Sequence, residues 1–217
     1  KNVLVIIDEI QIAAGMKQTL FKTFNTVGFY NKQYLLRNDI KIVEFSATPD
    51  GTIYDLNKWG ENAIMYKMES GEGYTSCFDL YDNGRVKLYK DLCCYSKSAG
   101  CVIDKFVKEN FKNLKKDILS FKKPRYHIIR TPNASKGDIV IENFKKIFGG
   151  NIKYYTYDQE SQIKDINNIL KKKPKEHTFI FIKEKLRCAK TLYKKNLGIL
   201  YERFTTSPDD AVIIQGL

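Results

Sequence analysis

Apolar positions follow two rhythms along this chain. Val3-Leu4-Val5-Ile6-Ile7 is an unbroken apolar run that ends at Asp8-Glu9. A run without polar alternation suits a strand covered on both faces, as in a parallel sheet. Over residues 12–36 the spacing of Leu20, Phe21, Phe24 and Val27 is helical, and residues 40–45 read as a second strand that stops at Ser46-Ala47-Thr48-Pro49. Strand, helical connection, strand is a βαβ unit, with a right-handed crossover expected.

Residues 61–104 change character. Residues 76–81 and 85–89 alternate around Asp82-Asn83-Gly84, which predicts a hairpin and a small antiparallel insertion. Residues 105–121 predict an amphipathic helix, with Val107, Phe111, Leu114 and Ile118 at spacings of four, three and four. Strands are then expected over residues 126–129, 152–157, 178–182 and 197–201. Helices are expected over 138–148, 161–170 and 186–195, with another starting at Asp209. This alternation implies a second parallel sheet, so the expected class is α/β. The division predicted is a first sheet domain over 1–60, a connector over 61–122 and a second sheet domain over 123–217.

Composition narrows the class. With 43% hydrophobic and 13% aromatic residues in 217, the chain is neither disordered nor low-complexity. No apolar run approaches the ~20 residues that span a bilayer, and the opening run is too short for a signal-peptide core. An intracellular protein with no membrane partner is expected. Cys77, Cys93, Cys94, Cys101 and Cys188 are odd in number and lack framework spacing. Zinc at Cys93, Cys94 and Cys101 is the alternative to reduced thiols, but CxxC and HxxxH spacings are missing.

The net charge of +12 is uneven. Residues 105–125 hold eight Lys or Arg against two acids, and residues 171–195 hold ten against two. Such segments attract phosphate backbones. The competing explanation is a Lys-rich bias, since the chain is also rich in Asn, Ile and Tyr.

The chemistry lies at the strand ends. An apolar strand followed by Asp-Glu is a Walker B pattern: Asp8 would hold Mg²⁺, and Glu9 would orient and deprotonate an attacking water. A strand ending in a capping acid is the bland reading. Asp8-Glu9-Ile10-Gln11 and, one βαβ unit later, Ser46-Ala47-Thr48 together resemble the DExx box and SAT motif of superfamily 2 helicases. The resemblance implies two RecA-like lobes, the first incomplete, with ATP and Mg²⁺ bound between them and nucleic acid crossing both. It gives Gln11, Ser46 and Thr48 a coupling role. The run from Ile180 to Leu192 resembles motif V, which implies nucleic-acid contacts at Lys183, Arg187, Lys190 and Thr191, although the usual Gly-Asp spelling is missing. Ile213-Ile214-Gln215-Gly216-Leu217 resembles the start of motif VI, with Gln215 its leading glutamine.

No GxxxxGK[ST] occurs in the chain. The expectation is therefore a fragment of a longer ATPase, inactive alone, whose phosphate loop precedes Lys1 and whose arginine finger follows Leu217. The spelling is closest to helicases of large DNA viruses. That favours DNA over RNA as partner and the cytoplasm, nucleus, viral factory or virion as location. A nucleic-acid-binding remnant that hydrolyses nothing, and an unrelated P-loop ATPase, are the rival readings.

Overall fold

Among the described residues the computed structural model contains six strands. The structure describes residues 2–8, 19–46, 59–69, 71–88, 90–93, 105–132, 135–149, 152–183, 185–186 and 190–204. By contact density the chain divides into Lys1–Ser76 and Cys77–Leu217, each containing its own parallel sheet.

In the first unit, β1 (Val3–Ile7) pairs in parallel with β2 (Ile40–Glu44), Val3 opposite Ile40 and Ile7 opposite Glu44. Two helices connect them, α1 (Thr19–Thr26) and α2 (Lys32–Arg37). Helix α1 ends because Gly28 takes φ +81, a left-handed conformation open to glycine, and the Phe29 N–H returns to the Phe24 carbonyl at 2.9 Å. The turn folds Phe29 onto Phe24 and Tyr30 onto Phe21, with ring centroids 5.3 and 4.9 Å apart. Asn31 then caps α2, its side-chain oxygen accepting from the Tyr34 N–H at 3.1 Å.

The second unit contains α3 (Cys77–Asp82), α4 (Lys105–Leu119), β3 (Tyr126–Arg130), α5 (Ser135–Phe148), β4 (Lys153–Tyr157), α6 (Asn167–Leu170), β5 (Thr178–Ile182) and β6 (Leu197–Tyr201). The sheet order is β4-β5-β3-β6, all parallel. Alternate residues of the central strands enter two cores. Ile129, Phe179 and Phe181 pack with Val107, Phe111, Leu114 and Ile118 of α4 and Val140, Ile141 and Phe144 of α5. Tyr126, Ile128, Ile180 and Ile182 pack with Tyr157, Ile166 and Leu170. Phe144 is the hub of the first core, 5.0 to 5.2 Å from the rings of Phe111, Phe179 and Phe181. Burying one such ring stabilises by about 1.5–3 kcal/mol.

Three expectations are corrected. The Asp82-Asn83-Gly84 turn ends a helix, α3, and closes no hairpin. Gly84, at φ +63, donates to Tyr81 O and Arg85 to Leu80 O, both at 2.8 Å, the bond pair of a Schellman cap. Among the described residues there is no antiparallel pairing. The helix expected over 161–170 is confined to α6, because the Asp165 carboxylate accepts the Asn167 N–H at 3.0 Å and starts it there. The helix expected over 186–195 is, in its described part, irregular chain and a 3-10 turn at Lys194–Asn196. Asn167 competes for its backbone, donating to Thr191 O at 3.0 Å and accepting from the Tyr193 N–H at 2.8 Å. The helix expected from Asp209 lies outside the described residues.

Candidate functional site

In a parallel sheet every strand delivers its last residue to the same edge, and ligands in open α/β sheets collect at that carboxyl edge. In the first unit, Asp8 follows the last residue of β1, and the Phe45 N–H donates to Ile7 O at 2.8 Å. That bond extends the pairing by one residue and sets Ser46 at the neighbouring strand end. Asp8 is exposed and Ser46 half-buried. The other expected residues of this site, Glu9, Gln11 and Thr48, lie outside the described residues, as do Arg187 and Gln215 in the second unit.

The carboxyl edge of the second sheet is cross-linked. Arg130, the last residue of β3, donates Nε to Glu202 at 2.8 Å, Nη1 to Lys185 O at 3.0 Å and Nη2 to Leu186 O at 2.8 Å. One guanidinium thus ties the ends of β3, β5 and β6. Both members of the ion pair are mostly buried, and burial outweighs Arg130 in setting Glu202, whose carboxyl is pushed up. Leu186, whose carbonyl the arginine holds, sits at φ +59, a backbone state unusual for leucine.

Beside this tie, Lys183 reaches Asp138 in the first turn of α5 at 2.7 Å. Gly137 lets the helix approach: a Cβ there would lie 2.4 Å from Pro132 O. Lys190 pairs with Asp165 at 3.0 Å. Asp165 is lowered first by the Asn167 N–H and then by Lys190, and Lys190 is raised by that same carboxylate. Thr191 is exposed, its carbonyl engaged by Asn167. Lys183 and Lys190 therefore have different carboxylate partners and share none. Arg130, Glu202, Asp138 and Asp165 were not anticipated. The only signal in the chain was a charged residue directly after an apolar run, at Arg130 and Glu202.

At the opposite, amino edge a buried histidine, His127, meets a half-buried one, His177. His127 Nδ1 accepts the Ile199 N–H at 3.2 Å, so its Nε2 carries the hydrogen that meets His177 Nδ1 at 3.0 Å. Burial chiefly, then His177 and Arg125, lower His127 to about 3. Gly198 makes room for the ring: a Cβ there would stand 2.5 Å from His127 Cε1. Among the described residues no three His, Cys, Asp or Glu side chains gather into a metal-binding group, and no helix is long and apolar enough to cross a membrane.

The chain is 28% identical over 206 residues to an uncharacterized protein of Acanthamoeba polyphaga mimivirus, a match covering 92% of this chain and 47% of that protein. The chain thus spans about half the length of this viral relative. No family model matches, and no solved structure matches significantly.

Proposed function

We propose that this chain carries part of the motor of a superfamily 2 nucleic-acid-dependent ATPase, its two sheets belonging to two RecA-like lobes of which the first is incomplete. One observation carries this reading. The in-register parallel pairing of β1 and β2 brings Asp8 and Ser46 to neighbouring carboxyl strand ends, where the DExx and SAT signatures would have to meet. An exposed carboxylate at such an edge fits Mg²⁺, which proteins hold through one or two carboxylates plus substrate phosphates. Bound there, the ion would neutralise charge on ATP. Glu9 takes the proton from the attacking water. Ser46, with Thr48, passes the state of that site onward and touches no phosphate.

The test uses the whole protein. Glu9→Gln is expected to keep ATP and Mg²⁺ binding and abolish nucleic-acid-stimulated turnover, since glutamine keeps the shape but takes no proton. Ser46→Ala with Thr48→Ala is expected to keep most ATPase activity while losing strand separation or translocation. Hydrolysis near wild type in both Glu9→Gln and Asp8→Ala variants overturns the assignment.

A further inference from the structure

Nine lysines of the second unit lie at the amino edge of its sheet, the end away from the motif V-like loop. Parallel pairing aligns Tyr126 with Thr178 and Leu197, and Thr178 with Lys153. The segments that lead into these strands therefore lie side by side. Lys122, Lys123 and Arg125 precede β3, and Lys153 opens β4. Lys171, Lys172, Lys173 and Lys175 precede β5, and Lys194 and Lys195 precede β6. All nine lysines are exposed, and Glu176 is the acid among these segments, with Asp165 facing Lys171 from the turn before α6.

The segments are also fastened to one another. Arg125 Nη1 donates to Lys195 O, and the Thr178 N–H donates to Arg125 O at 3.0 Å. Asn196 Nδ2 donates to Leu170 O at 2.8 Å and Lys172 O at 3.3 Å. The charges thus project from an ordered backbone platform, and none of the nine lysines has an ion pair with a described carboxylate. Four strands at ~4.8 Å spacing make the platform about 15 Å wide. Duplex DNA carries one charge per ~1.7 Å of axis, so roughly nine phosphates cover that width and about half face the platform.

We infer that this amino edge is a second nucleic-acid contact, a landing surface for the phosphate backbone of a duplex. It lies about 16 Å, the length of β5, from the carboxyl-edge loop. It rests on the motor reading only for the choice of nucleic acid as the polyanion. A duplex fits better than a single strand because single-strand sites add aromatic platforms for bases. Here Phe121 is turned inward against His127, Tyr126 and Phe179 are buried, and Tyr154, the exposed aromatic beside Lys153, has the Lys145 ammonium over its ring at 5.2 Å. A membrane surface would want exposed apolar side chains among the lysines, whereas Pro174 is buried and His177 half-buried.

The test measures binding of the 217-residue chain to a labelled duplex of about 20 base pairs over a range of salt, with the matching single strand and phosphatidylserine vesicles as further probes. Wild type is expected to bind the duplex best, with a log–log salt slope of about −4. Lys122→Gln, Lys173→Gln and Lys195→Gln together should weaken it about a hundredfold at ~100 mM salt and flatten the slope by about two, with an unchanged melting temperature. Lys105→Gln, Lys108→Gln and Lys112→Gln, equally exposed on α4, should change the slope little. Equal losses in the two triple variants overturn the inference, as does tighter binding of the single strand. Vesicle binding without duplex binding overturns it in favour of a lipid surface. Failure of the motor reading would show separately, as a whole protein without ATPase activity whose duplex binding still depends on these three lysines.

Discussion

Strand β1 is a five-residue apolar run and β5 is one but for its first residue, Thr178, yet they meet different fates. Every residue of β5 is buried, with aromatic and aliphatic cover on both faces. In β1, Val3, Leu4 and Ile6 are 42, 58 and 63% exposed. An unbroken apolar run states that a strand requires two covered faces, and the surrounding layers decide whether it receives them. The second unit supplies four strands with helices packed against them. Among its described residues the first has two strands, with Phe24 and Leu35 as buried hydrophobic residues.

The sharpest test of this contrast removes one side chain from each sheet. Phe144→Ala opens a cavity among three rings and is expected to cost about 3–5 kcal/mol, whereas Ile6→Ala should cost under about 1 kcal/mol. Denaturant melts of both variants check this, and equal losses would break the comparison.

Acid should separate the units next. His127 sits near 3 in the folded chain, against ~6.5 when unfolded, so the unfolded state binds more protons between those values. Stability present above pH ~6.5 is therefore lost as pH falls toward 3, by roughly 4 kcal/mol. His177, also lowered by burial, acts in the same sense. Glu202, raised by burial, opposes it: its contribution is present at low pH and lost as pH rises through its folded value. Both histidines belong to the second unit, and Trp59, the single tryptophan, belongs to the first. Circular dichroism should lose structure on acidification before Trp59 fluorescence moves, and coincident transitions would count against a separate acid response.

Two smaller effects complete the series. Gly198→Ala forces a methyl group against the His127 ring and should cost about 1–3 kcal/mol, read as a shift in melting temperature. Asn31→Ala removes the cap of α2 and should cost about 1 kcal/mol, read by faster hydrogen exchange in that helix alone.

Much of this architecture was legible along the chain for a physical reason. Strands such as 178–182 declare themselves through local composition, and α4 through the spacing of Val107, Phe111, Leu114 and Ile118. Asp82-Asn83-Gly84 misled because a left-handed glycine serves a helix cap as readily as a hairpin turn. The helix expected over 186–195 failed through Asn167, a competitor invisible to any local window. Asp8 and Ser46 were readable because a strand end fixes where they lie. The cross-link from Arg130 to Glu202 was not, because 72 residues separate the partners and the sheet order alone brings them together. Likewise Lys183 and Lys190 read as nucleic-acid contacts, and nothing local announced the carboxylates the fold gives them, Asp138 and Asp165.

The strand order also dictates when the second sheet can exist during synthesis. β3 and β4 leave the ribosome first, yet they are not neighbours, because β5 lies between them. A nascent chain that has reached Tyr157 therefore holds two strands with no partner to bond. When β5 emerges it closes two ladders at once, and β6 follows beside β3. Tyr201 then reaches back to the carbonyl of Lys90, across 111 residues. Structure in this unit arrives late and nearly all together, which leaves Val107, Phe111 and Phe144 exposed until the last third of the unit has been made.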